Sequence, residues 1–194
     1  MTEKFQNKYR ISSTRLQNWD YGSNAAYFVT ICTQNREHYF GEITNGSMYL
    51  SEIGHLANKY WLEIPEHFPF VELDAFVVMP NHVHGIIIIN KPNNERDVET
   101  RHALSLPIPT QPQLQNETIG QKRFQNQGKG TISSIIGSYK SVLTKNARKI
   151  HADFAWQSRF HDHIIRNDNS YHRIQQYILT NPQNWKKDKF YTIR

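Results

Sequence analysis

At 194 residues with 38% hydrophobic content, the chain is long enough for one well-packed core and too short for two ordinary domains. No apolar run approaches the length of a membrane-spanning helix, the N-terminus lacks the apolar stretch of a secretory signal, and the single cysteine, Cys32, excludes an intrachain disulfide and a cysteine-built metal site. The net charge of +6 is unevenly placed: residues 1–90 carry 6 basic against 9 acidic side chains, whereas 140–194 carry 11 against 4. These features predict one cytoplasmic domain over 1–194 whose basic C-terminal part favours a polyanion, nucleic acid ahead of a membrane surface.

The first strand is predicted at 27–33, a run rich in β-branched and aromatic residues. A short hairpin follows around Asn45-Gly46, a strong two-residue turn signal. Ser51 then caps a helix in which Ile53, Leu56, Ala57, Tyr60 and Trp61 recur at helical spacing until Pro65 stops the run. Residues 70–79 read as a second strand, and Pro80-Asn81 turns the chain into a third that begins His82-Val83-His84-Gly85 and continues with four isoleucines.

From 91 to 130 the composition shifts to Asn, Gln, Pro, Thr and Gly, far longer than an ordinary connection, and this segment is expected to be a flexible insertion. Order returns with a helix over 131–145 whose apolar stripe is Ile132, Ile135, Ile136, Tyr139, Val142 and Leu143. A last strand over 156–165 and a helix over 170–180, ended by Asn181-Pro182, complete the series. The order strand, helix, strand, strand, helix, strand is the split βαβ, so the expected class is α+β: a ferredoxin-like central antiparallel sheet with an additional hairpin and a C-terminal helix.

Chemistry concentrates at His82 and His84. Residues two apart in a strand share a face, so both imidazoles can reach one cation and leave coordination positions open for water or a phosphate oxygen. His161-Asp162-His163 has the same spacing, but Arg159 and Arg166 would repel a cation there, which favours a structural or DNA-contacting role.

The blocks Tyr27-Phe28-Val29-Thr30-Ile31-Cys32-Thr33 and Met79-Pro80-Asn81-His82-Val83-His84, with a tail running from Trp156-Gln157 through His163-Ile164-Ile165-Arg166 to Tyr177-Ile178 and Asn181-Pro182, resemble the single-tyrosine HUH transposases of the REP-associated, insertion-sequence type. The resemblance spans nearly the whole chain apart from 91–130. It implies cleavage and rejoining of single-stranded DNA beside a hairpin, by a tyrosine that forms a 5′-phosphotyrosine while Mg²⁺ or Mn²⁺ on His82 and His84 polarises the phosphate. The family places that tyrosine on the helix after the histidine strand, where Tyr139 stands; Tyr171 and Tyr177, on the last helix, are alternatives. Family members often carry a polar metal ligand one turn after the tyrosine; here the chain departs from them, because Leu143 stands at that position and Thr144 and Asn146 are the nearest polar side chains. Lys140, Lys145, Arg148, Lys149, Arg159, Arg166 and Arg173 are the expected DNA contacts. The resemblance allows a monomer or a homodimer with exchanged tyrosine helices. Two other readings are a catalytically inactive nucleic-acid-binding protein on the same fold and a metal-dependent phosphoesterase.

Overall fold

The computed structural model describes residues 19–92 and 128–192, so the predicted insertion lies almost wholly outside the described residues. Strand β1 (Ala25–Cys32) is followed by the hairpin β2 (Gly41–Thr44) and β3 (Ser47–Leu50), helix α1 (Glu52–Leu62), a short helix α2 (Ile64–His67), and strands β4 (Val71–Met79) and β5 (His82–Ile89). Helix α3 (Ile132–Ala147), strand β6 (His161–Ile165) and helix α4 (Asp168–Thr180) follow, and a 3₁₀ segment, Pro182–Lys187, leads into the tail.

The main sheet has the order β4-β5-β1-β6 with all neighbours antiparallel, the split βαβ arrangement expected from the sequence. Local chemistry explains the boundaries. The Ser51 side chain accepts from Gly54 N to start α1, Thr131 and Ser134 form a reciprocal capping box for α3, and Asn167 accepts from Ser170 N to start α4. Asn45 and Gly46 both take positive φ, 53° and 74°, as the two-residue hairpin turn requires. The last strand is shorter than predicted: Trp156 makes one isolated bridge to Thr33, and the chain then leaves the sheet through exposed Ser158 and Arg159 before pairing resumes at His161.

Strand alternation divides the molecule into two layers. Val83, Ile87 and Ile89 of β5 join Tyr27, Val29 and Ile31 of β1 in the large core, which α1 and α3 cover with Trp61, Ile132, Ile135, Ile136, Tyr139 and Leu143. Gly85 sits on that face because Trp61 occupies the space: a Cβ there would come within 2.3 Å of the indole. On the opposite face, Ile86 and Ile88 meet Ile174 and Ile178 of α4 in a smaller cluster. A register shift between Leu73 and Phe76 in β4 accompanies a tie to α4, where Asp74 accepts from Tyr171 OH and, at 3.1 Å, from Gln175 Nε2. His82 and His84, four and two residues before Ile86, therefore open toward the α4 face.

Candidate metal centre

The two imidazoles lie side by side with ring centroids 4.4 Å apart, and both are buried, at 0% and 1% exposure. A third group joins them from 104 positions beyond His84: Asp188, delivered by the turn after the 3₁₀ segment. One nitrogen from each histidine and a carboxylate oxygen of Asp188 all lie within 4.8 Å of one another, and no other group of three or more potential ligands gathers this closely among the described residues.

Each member is held by a second residue. Asn81 Nδ2 donates to Arg36 O and Phe190 O, which leaves Oδ1 to accept from His82 Nδ1 at 2.8 Å. His82 Nε2 is then the free ring atom, buried and without a hydrogen-bond partner. Thr30 Oγ1 holds His84 Nδ1 at 2.8 Å, and His84 Nε2 faces the Tyr177 hydroxyl at 3.2 Å. Asp188 accepts from Phe190 N, from Asn181 Nδ2 at 2.9 Å and from Tyr177 OH at 3.0 Å. Phe190 closes the roof, its ring 4.7 Å from that of His82 and 5.8 Å from that of His84.

The residues present fit a divalent cation. Two imidazoles and one carboxylate are an open ligand set for such ions, the partnerless His82 Nε2 needs an electrophile, and the bonds from Asn81 and Thr30 orient the rings as ligand-supporting contacts do. Burial holds His82 well below its ordinary pKa, helped by the neighbouring His84, Lys189 and Arg36, and burial lowers His84 to about 3. Both rings are therefore neutral near pH 7, the ligating form. Burial and the Asp188 carboxylate raise the Tyr177 phenol above its ordinary value, so it stands protonated.

Tyr139 is not part of this cluster. Its side chain is 2% exposed on the α3 face, edge-on to Trp61 at 5.3 Å, and its hydroxyl donates to Ala57 O. Because α3 packs on the face that Gly85 presents, the β5 strand itself separates Tyr139 from the histidines. Leu143, one turn further on, is fully buried in the same core, so the third candidate ligand comes from the tail rather than from α3.

The predicted DNA contacts divide in the same way. Lys140 Nζ donates to Gln157 O at 2.6 Å and Arg148 Nε to Phe154 O at 3.0 Å, so both brace the segment before β6, while Lys145 and Lys149 lie exposed on the α3 layer. Arg159, Arg166 and Arg173 are exposed, the last on α4. The cations close to the histidines are two that sequence reasoning did not select: Arg36, whose guanidinium donates to Lys189 O at 3.1 Å, and Lys189, with both side chains over the Phe190 ring. Tyr171 is held by Asp74, and His161 and His163 lie exposed on β6.

No protein-family model matches the chain. An uncharacterized protein of Haemophilus influenzae is 38% identical over 180 residues, covering 92% of both chains. A second protein of that organism, named "Putative REP-associated tyrosine transposase", is 26% identical over 163 residues, covering 84% of this chain and 73% of its own. A solved structure of a REP-associated tyrosine transposase bound to a REP hairpin superposes with TM-score 0.57 at 20% identity, over 92% of this chain and 77% of that one. The split βαβ sheet with its extra hairpin and C-terminal helix is thus a transposase fold. The chain belongs to one family with the first Haemophilus influenzae protein and is a relative of the REP-associated tyrosine transposases.

Proposed function

We propose that the protein is a transposase-like enzyme that cleaves and rejoins single-stranded, hairpin-flanked DNA through a 5′-phosphotyrosine, with Mg²⁺ or Mn²⁺ held by His82, His84 and Asp188. The observation that carries this reading is the buried, partnerless His82 Nε2 converging with a second neutral imidazole and a carboxylate. The kinship with a transposase named for its tyrosine, and the hairpin bound by the structural neighbour, support the choice of DNA as substrate.

In this reading a bound divalent ion supplies Lewis-acid stabilisation of charge on the scissile phosphate. The chain's own residues do the rest. Asn81 and Thr30 hold the imidazoles in orientation, Phe190 and Trp185 keep bulk water from the rings, and Lys189 and Arg36 offset phosphate charge at the mouth. Arg166 and Arg173, with Lys145, Lys149 and Arg159, would add salt-dependent backbone contacts. Lys140 and Arg148 would contribute through their positive field while bonded internally.

The test uses single-stranded DNA with a hairpin, labelled at its 3′ end and incubated with the protein and Mn²⁺. The expected product is labelled DNA that migrates with protein after denaturation, lost on chelation and lost in His84→Ala although that variant still retains the hairpin. Hairpin binding with no cleavage under any metal would instead select the inactive binding protein, and hydrolysis without an adduct would select the phosphoesterase.

A further inference from the structure

We infer that the outer face of α3 is a second nucleic-acid surface, which grips the phosphate backbone of duplex DNA while the metal centre on the other layer holds its own strand. The pairing of two DNA segments rests on the reading of the metal centre given above; the α3 face stands on its own chemistry. Residues 128–152 contain Lys129, Lys140, Lys145, Arg148 and Lys149 and no aspartate or glutamate. Along α3 and the turn that follows it, Gly137, Ser138, Ser141, Lys145, Arg148 and Lys149 are exposed. Successive members lie one, three or four residues apart, so they form a stripe along one side of the helix about 18 Å long. Among the described residues no ion pair joins Lys145, Arg148 or Lys149 to a carboxylate, and Arg148 spends Nε on Phe154 O while keeping its terminal amino groups for a ligand. A helix C-terminus attracts a cation through its dipole, which accounts for Lys145 beside the last carbonyls. It does not account for three cations within five residues of a stretch free of acids.

The composition of the face selects the ligand. A second copy of this chain would set the same cations against one another, and the stripe offers an apolar partner little beyond Val142 and Ile150. Unstacked bases need an aromatic platform, and the aromatic side chain of α3, Tyr139, is buried. What the stripe presents is hydroxyls and cations with room for close approach: no atom of the described residues outside the helix's own neighbouring backbone lies within 4 Å of a Cβ placed on Gly137. Such groups hold phosphates and read no bases, and a duplex offers them a charge about every 1.7 Å of its axis. Placement gives the surface its use. Helix α3 packs on one side of the sheet through Ile132, Ile135 and Ile136, whereas His82 and His84 open on the other. The sheet layer and the width of a helix, about 10 Å each, therefore separate the stripe from the metal centre. A strand seated at the metal centre does not occupy α3, so the protein holds two segments at once, and the duplex is kept at high effective concentration beside the strand being processed.

The probe is a short fluorescent blunt duplex of mixed sequence, titrated with the full chain at several salt concentrations in chelator, and offered also to protein already held on bead-bound hairpin DNA. The logarithm of the affinity should fall against the logarithm of salt with a slope of about −2.7 or steeper, three phosphates at about 0.9 each. Lys145→Gln with Lys149→Gln should reduce that slope by about 1.8 and weaken duplex binding by more than about tenfold at low salt, with the melting temperature unchanged. Arginine at both positions should keep slope and affinity. On the beads, the wild-type chain should carry duplex and hairpin together, and the glutamine variant should carry less duplex per molecule of bound protein in the same proportion. Duplex binding undiminished in the glutamine variant, duplex expelled by the hairpin, or tighter binding of polyglutamate than of duplex at equal charge would each overturn the α3 assignment, the last by giving the face to an acidic protein. A wild-type chain that binds duplex through these lysines but is not held by the hairpin would keep the α3 surface and overturn the reading of what the metal centre holds.

Discussion

Two neutral imidazoles buried side by side make the fold acid-sensitive in a calculable way. In an unfolded chain a histidine titrates near 6.5, whereas in the fold burial lowers His84 to about 3 and His82 well below its ordinary value. Below about pH 6.5 the unfolded chain therefore takes up protons that the folded chain refuses, and stability falls as pH falls. One unit below the unfolded value costs about 1.4 kcal/mol per histidine, so moving metal-free protein from pH 7.5 to pH 5.5 should remove about 2.7 kcal/mol through this pair. The slope should persist toward pH 3, where His84 finally protonates in the fold. Urea unfolding followed by circular dichroism at half-unit pH steps, with chelator present, measures it. Because His161 is also lowered, by burial and Lys189, the decisive quantity is the difference between wild type and His84→Asn, which should lose about one proton's worth of slope. Equal slopes in the two proteins would refute the reasoning.

Other consequences are open to direct measurement. Mn²⁺ at a hundred times its dissociation constant should stabilise the protein by about 2.7 kcal/mol in thermal unfolding, and Asp188→Asn should weaken that response as His82→Ala does. Tyr139→Phe removes a buried hydrogen bond to Ala57 O and should cost about 1 kcal/mol in urea unfolding while DNA cleavage is unchanged. Gly85→Ala would drive a methyl group into the Trp61 indole and should cost about 1–3 kcal/mol. The same variant should bind Mn²⁺ more weakly, because His84 is the preceding residue of the displaced strand.

The sheet was legible because its signals are local. Alternating apolar runs, an Asn-Gly turn, Ser51 and the Pro80-Asn81 turn each report on a few neighbouring residues, and the two-residue spacing of the histidines fixes their common face without knowledge of the rest. The rest of the site depends on which layer each helix joins. The apolar stripe of α3 predicts that Tyr139 faces the sheet but not which side of the sheet it faces, and the histidines look the other way. Gly85 between His84 and Ile86 was the available clue, since a glycine amid bulky strand residues marks a close approach, here by Trp61. Asp188 was hidden by its setting: within Lys186-Lys187-Asp188-Lys189 it reads as one acid in a basic run, and only the fold of the tail returns it to His84. The extension of the last strand failed at Ser158 and Arg159, where pairing gives way to a bend.

Asn81 gives the site a thermodynamic property that no single ligand has. Its amide orients His82 with one end and with the other holds Phe190 O and, at 3.3 Å, Thr192 Oγ1, while Phe190 N bonds Asp188. Ligand orientation and tail docking are thus two ends of one equilibrium. Coupling of this kind is reciprocal: whatever factor a bound cation adds to the docking of residues 188–192, that docking returns to the affinity for the cation. Sequence changes in the tail that never touch the metal would then tune its occupancy, and cation concentration would set how tightly the tail is held.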